Sequence, residues 1–172
     1  AGPGGTISPS GDVEVDCGSD ITFTIMPNEG YEIEDVVVDG TSVGPVSSYT
    51  FEDVTSDHTI HASFQRIQYT VTVSAAPPEG GTVSGGGTYP AGTQVTVTAT
   101  PNPCWEFVNW TEDGTVVSTE PSYTFTVNDN RDLVAHFELL TYTIAASAGP
   151  GGTISPSGDV EVDCGSDITF TI

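Results

Sequence analysis

Apolar and polar residues alternate with a period of two in many short stretches of this chain. Asp12, Val13, Glu14, Val15 and Asp16 alternate acid with valine, so an extended backbone there has one face to bury and one to wet. Ile21, Thr22, Phe23, Thr24 and Ile25 do the same with threonine outward, and Val95, Thr96, Val97, Thr98 and Ala99 keep that register. Similar strands are predicted from Tyr69 to Val73, at Tyr49-Thr50-Phe51, from Tyr123 to Val127 and from Leu133 to Phe137. Asp39-Gly40 and Asp113-Gly114 are hairpin turn signals. No stretch of ten or more residues has helical apolar spacing with proper caps. Residues 33–38 alone could carry one turn of helix. The pattern predicts an all-β chain of short strands and turns.

Residues 1–25, AGPGGTISPSGDVEVDCGSDITFTI, return letter for letter as residues 148–172. The chain is therefore one 147-residue period of a tandem array followed by the start of the next. A weaker repeat of half that length lies inside the period. Gly4-Gly5-Thr6 matches Gly80-Gly81-Thr82, Pro27-Asn28 matches Pro101-Asn102, and Asp39-Gly40-Thr41 matches Asp113-Gly114-Thr115. Tyr49-Thr50-Phe51 matches Tyr123-Thr124-Phe125, and Tyr69-Thr70 matches Tyr142-Thr143. The expected modules are A over residues 1–66, B over 67–139, and a new A from 140 to 172. Module A begins without its first strand, which alignment places at residues 142–147 of the second copy. Either the chain is an arbitrary cut through a long array, or the missing strand comes from another molecule. A module of about 74 residues buries a thin core, so stacking on neighbours or a covalent staple would help it.

Charge narrows the function. The chain carries 24 Asp and Glu against two arginines, Arg66 and Arg131, for a net charge of −22. Such a surface repels nucleic acid, which needs clustered cations. It also repels anionic membranes, and no apolar run of about 18 residues exists to span one. It suits collection of divalent cations, or a polymer kept soluble by self-repulsion. No signal peptide is present, as expected of a chain that opens inside a repeat. Of the three cysteines, Cys164 copies Cys17, so each period holds two. A cysteine pair in a lysine-free, Thr- and Gly-rich β protein suits an oxidising extracellular setting.

Module B carries a family likeness in its Gly-Gly-Thr opening, its Gly-Thr-x-Val-x-Val-x-Ala-x-Pro strand, its Phe107-Val108-Asn109-Trp110 segment and its closing Ala-x-Phe. It resembles the divergent internalin-type B-repeat of bacterial and archaeal surface proteins. Module A resembles it more loosely, with Val36 in the place of Trp110. The resemblance implies small β-rich modules, β-sandwich or β-grasp-like, that space out or display other domains. It implies no catalytic residue. One departure stands out: Cys104 occupies the place of Gly30, where the pattern has glycine, while Cys17 aligns with Ala91. The cysteines thus sit at different places in A and B, as a bridge across a module junction would require.

The candidate chemistry is sparse. A disulfide could join Cys17 to Cys104, Cys104 to Cys164, or separate chains. The acids at 12, 14 and 16, at 29–39 and at 52–57 fit solvated faces. Asp129 and Asp132, in the loop NDNRD, are the candidates for weak calcium binding. His58 and His61, three apart, would point to opposite faces of a strand and so do not form a metal pair. Asn109-Trp110-Thr111 is an N-glycosylation sequon, exposed if Trp110 is buried. Tyr31 and Trp105 share an equivalent loop position, where they could stack on sugar rings or on the next module. No G-x-S-x-G, H-E-x-x-H or P-loop motif occurs, and no enzyme is expected. The expected function is a structural repeat of a secreted filament or cell-surface stalk, with other copies as partners, head to tail or by strand exchange. The alternative is an adhesin module that binds carbohydrate or a host surface.

Overall fold

A computed structural model of the chain describes residues 1–172. Its residues group into two compact units. One is Ala1–Tyr69 with Thr88–Thr93 and Thr126–Asp129; the other is Thr70–Gly87 with Gln94–Phe125 and Asn130–Ile172.

The first unit contains β1 (Gly5–Ser8), β2 (Ser19–Pro27), β3 (Tyr31–Val38), β4 (Thr41–Gly44), β5 (Ser48–Val54) and β6 (Ile60–Arg66). They form two antiparallel sheets, β1-β2-β5 and β4-β3-β6. Phe23 and Ile25 of β2 and Phe51 of β5 meet Val36 and Val38 of β3 and Ala62 of β6 in one buried cluster. This is a small sandwich, and the predicted alternation of β2 decides which residues enter it. Thr22 and Thr24 face water, and the Thr22 hydroxyl bonds that of Thr50 across the strands at 2.8 Å. Residues 33–38 are strand rather than a turn of helix. The pairing register skips between Ile33 and Asp35, so Ile33 opposes Phe64 and Val36 opposes Ala62. This β-bulge sets two residues three apart on one face, a spacing that mimics a helix.

The second half runs through β7 (Gln68–Ala76), a 3-10 turn at Pro78–Gly80, β8 (Gly81–Ser84), β9 (Gly87–Pro90) and β10 (Thr93–Pro101). It continues as β11 (Trp105–Glu112), β12 (Thr115–Ser118), β13 (Ser122–Val127), β14 (Arg131–Leu139), β15 (Thr141–Ala146) and β16 (Gly158–Asp163). The sheet β13-β10-β8 repeats β5-β2-β1, and β12-β11-β14 repeats β4-β3-β6. The bulge recurs between Phe107 and Asn109, as does a threonine pair, Thr96 to Thr124 at 2.7 Å. Trp110, Leu133 and Ala135 are fully buried. The Trp110 indole donates to the Pro121 carbonyl at 3.2 Å, so the large ring enters the core with its N–H satisfied.

The larger sheet adds two strands. β7 runs parallel to β14, from Val71 opposite Arg131 to Ala76 opposite His136, and β9 lies beyond it. In the first unit the corresponding edge of β6 carries no strand. Only the Gly2 amide reaches it, donating to the Ala62 carbonyl at 2.9 Å.

The Gly-Gly-Thr openings have a packing reason. A Cβ on Gly5 would fall 2.3 Å from the Phe64 ring, and one on Gly81 would fall 2.5 Å from the Phe137 ring. Each aromatic closes its sandwich by lying directly on the backbone of the opening strand.

Candidate functional site

The cysteines sit where a turn meets a strand end. Cys104 lies in the turn between β10 and β11 with φ +70, a left-handed conformation that strains any residue with a Cβ. Cys164 follows β16 directly. Two backbone bonds bring them together: the Leu140 amide donates to the Cys104 carbonyl, and the Cys164 amide donates to the Leu140 carbonyl, both at 2.8 Å. Cys104 and Cys164 form a disulfide, 60 residues apart in sequence, with Cα atoms 5.4 Å apart. Of the expected pairings, this one is formed. In the chain-entropy model a loop of this size contributes about 4 kcal/mol. Cys17 is exposed and free.

The same backbone arrangement occurs once more without sulfur. The Ile67 amide donates to the Gly30 carbonyl at 3.0 Å, and the Ala91 amide donates to the Ile67 carbonyl at 2.8 Å. Gly30 also has positive φ, +76. Gly30, Ile67 and Ala91 thus reproduce Cys104, Leu140 and Cys164. Each period carries two such arrangements and staples one.

The two copies of the duplicated segment are paired differently in the structure. Residues 158–163 form β16, which pairs with β15 from Thr141 opposite Asp163 to Ala146 opposite Gly158. The identical residues 11–16 form no strand. They line one side of an open groove of about 1140 Å³ in the first unit, with Ile21, Phe23, Phe51 and Ile60 among its other walls.

The remaining predicted residues fall as follows. The Tyr31 ring packs against Gly4, where an added Cβ would lie 2.4 Å from it. The Arg66 guanidinium sits 5.1 Å from the same ring's centroid. Trp105 lies against Gly80. Asn109 is half-buried in β11, and its Oδ1 is buried without a hydrogen-bond partner. Nearby, the Thr111 hydroxyl and His136 Nε2 are 2.8 Å apart. Asp132 accepts from the Thr72 hydroxyl at 2.6 Å. No three His, Cys, Asp or Glu side chains converge as a metal site.

Sequence reasoning missed several polar contacts. Arg131 donates from Nε to both carboxylate oxygens of Glu112, at 2.8 and 3.0 Å. It also lies 4.4 Å from the Phe125 ring centroid. The Glu112 carboxylate holds the guanidinium above its ordinary pKa. Asp39, taken as part of a solvated acidic face, accepts from the Thr59 amide at 2.7 Å and lies 2.8 Å from His58 Nδ1. These contacts lower its pKa, with the Thr59 amide the main cause. Asp35 accepts from the Ser42 hydroxyl at 2.6 Å and from the Gly44 amide at 3.2 Å. The available signal was that Asp39 is the first residue of the Asp39-Gly40 turn, where an aspartate commonly bonds nearby backbone amides.

No helix is long and apolar enough to cross a membrane. The family model of the divergent InlB B-repeat domain matches residues 1–68 and, as a second copy, residues 69–140. Neither the curated proteins nor the solved structures yield a match. With two tandem matches spanning most of its length, this chain belongs to the divergent InlB B-repeat domain family.

Proposed function

We propose that this chain is a repeat of an extracellular stalk or fibre whose role is mechanical. The observation that carries the reading is the Cys104–Cys164 disulfide, which ties module B to the segment that opens the next copy of the period. A bond placed there fixes the succession of modules, whereas a bond inside one module would stabilise that module alone. A disulfide also needs an oxidising compartment to persist. The net charge of −22 and the absence of lysine keep successive repeats from collapsing onto one another. The family membership agrees with a surface protein. Immunogold labelling of intact source cells tests the reading. Label on extended strings outside the cell supports it. Label confined to the cytoplasm sinks it.

A further inference from the structure

The two joints of the period share one backbone frame and are closed by different side chains. In the frame of Cys104, Leu140 and Cys164, the disulfide holds the outer two residues together. In the frame of Gly30, Ile67 and Ala91, neither outer residue has a side chain that can bond. There Arg66 takes over: its Nη1 donates to the Ala91 carbonyl at 2.8 Å. Across β3 and β6, Arg66 pairs with Tyr31, and its guanidinium lies over that ring. The equivalent pair in the second half is Trp105 with Leu139, and leucine has no donor to offer a carbonyl. The exchange is complementary. Where cysteines close the joint, an apolar residue stands in the arginine's place; where the arginine stands, the cysteines are absent. Gly30, Tyr31, Arg66, Ile67 and Ala91 all lie within the first compact unit.

We propose that Arg66 is the clasp of the unstapled joint, and that this joint opens and closes on its own while the core beside it stays folded. The bonds to be broken are those from the Ile67 amide to Gly30, from the Ala91 amide to Ile67, and from Arg66 to Ala91. The last has a charged donor, and such bonds are roughly twice as strong as neutral ones. Arg66 is exposed, so water competes for its guanidinium. Among Gly30, Arg66, Ile67 and Ala91, only the methyl of Ala91 is buried, so opening uncovers little apolar surface. The cluster of Phe23, Ile25, Val36 and Ala62 is not part of the clasp. Local opening draws on this kind of contact, a few hydrogen bonds at the solvent edge with little packing behind them. The stapled joint cannot open in this way, because its covalent bond holds whatever the backbone bonds do. Each period then carries one joint that yields and one that holds. This adds to the stalk reading without resting on it, since the opening is a property of the chain alone.

The test is native-state hydrogen exchange, read residue by residue by NMR, on the full chain and on Arg66→Met, which keeps an unbranched stem and loses the donors. The Ile25 amide, bonded to the Ser47 carbonyl in the buried core, reports unfolding of the core. In the parent, the Ile67 and Ala91 amides should exchange at least about tenfold faster than Ile25. Their rates should barely respond to low urea, because denaturant sensitivity follows the surface exposed on opening. In Arg66→Met both should exchange about tenfold faster again, with Ile25 unchanged. Joint amides that exchange at the Ile25 rate, or that share its urea dependence, show that the joint opens only by unfolding and overturn the proposal. An Arg66→Met chain that leaves them unchanged, or speeds Ile25 equally, removes Arg66 as the clasp. The stalk reading survives any of these results, because it is judged by location on the cell.

Discussion

A Cβ added to Gly30 would lie 3.2 Å from the Cβ of Ala91, and these two residues occupy the positions that Cys104 and Cys164 hold elsewhere in the period. Cβ atoms in a disulfide are usually about 3.8 Å apart, so a small adjustment admits a bond. The double variant Gly30→Cys with Ala91→Cys should therefore oxidise to a second disulfide. Cys104 already shows that cysteine tolerates the left-handed backbone this position requires. The expected gain is roughly 2–4 kcal/mol in urea unfolding, reversed by reductant. A tryptic link from 1–66 to 67–131 without that gain would show that the close approach carries more strain than the backbone bonds suggest.

Gly81 should resist substitution. Its φ is near 180°, so an alanine backbone fits there. The obstacle is space: the new Cβ would meet the Phe137 ring at 2.5 Å and the Thr100 carbonyl at 2.6 Å. Gly81→Ala should cost about 1–3 kcal/mol. Adding Phe137→Leu should recover only part of the loss, because the backbone carbonyl remains.

Arg131 makes a forked bond to Glu112 that a lysine cannot make, and its planar guanidinium also lies against the Phe125 ring. Arg131→Lys should lower stability by about 1–2 kcal/mol although the charge is kept. A loss no larger than a few tenths would mean that the pair behaves as an ordinary surface ion pair.

Asp39 should make folding sensitive to acid. Its carboxylate is held below the ordinary aspartate range by the Thr59 amide and by His58. The stability it contributes is present above the ordinary value near 3.9 and disappears as pH falls through the lower folded value. Asp39→Asn should unfold at lower temperature than the parent at pH 7, and the two melting curves should converge as the pH is taken below 3. Curves that stay equally separated would point to geometry rather than charge.

The alternation of residues 21–25 and 95–99 made their inward faces legible, because Phe23, Ile25, Val95 and Val97 bury wherever a second sheet covers them. Ile33 and Val36 were misleading, since a bulge changes the spacing by one residue and leaves no mark in composition. The clearest limit is the duplicated segment. Residues 12–16 and 159–163 have one sequence and therefore one alternation, yet only the second copy forms a strand. Alternation states which side chains would face inward; a partner edge decides whether the strand exists. The cysteines were legible as a junction feature, but choosing Cys104–Cys164 required knowing that β15 and β16 pair.

A chain pulled from its ends would feel the disulfide as a limit on its slack. The 60 residues from Cys104 to Cys164 lie behind the bond and cannot pay out under tension. Once force has unfolded the strands behind it, a reduced bond would release about 200 Å of contour length per period, at roughly 3.4 Å per extended residue. In single-molecule stretching, the unfolding of each period should therefore lengthen the chain by about that much more when a thiol reductant is present. The same polymer would be taut in an oxidising medium and extensible in a reducing one, with no change in its sequence.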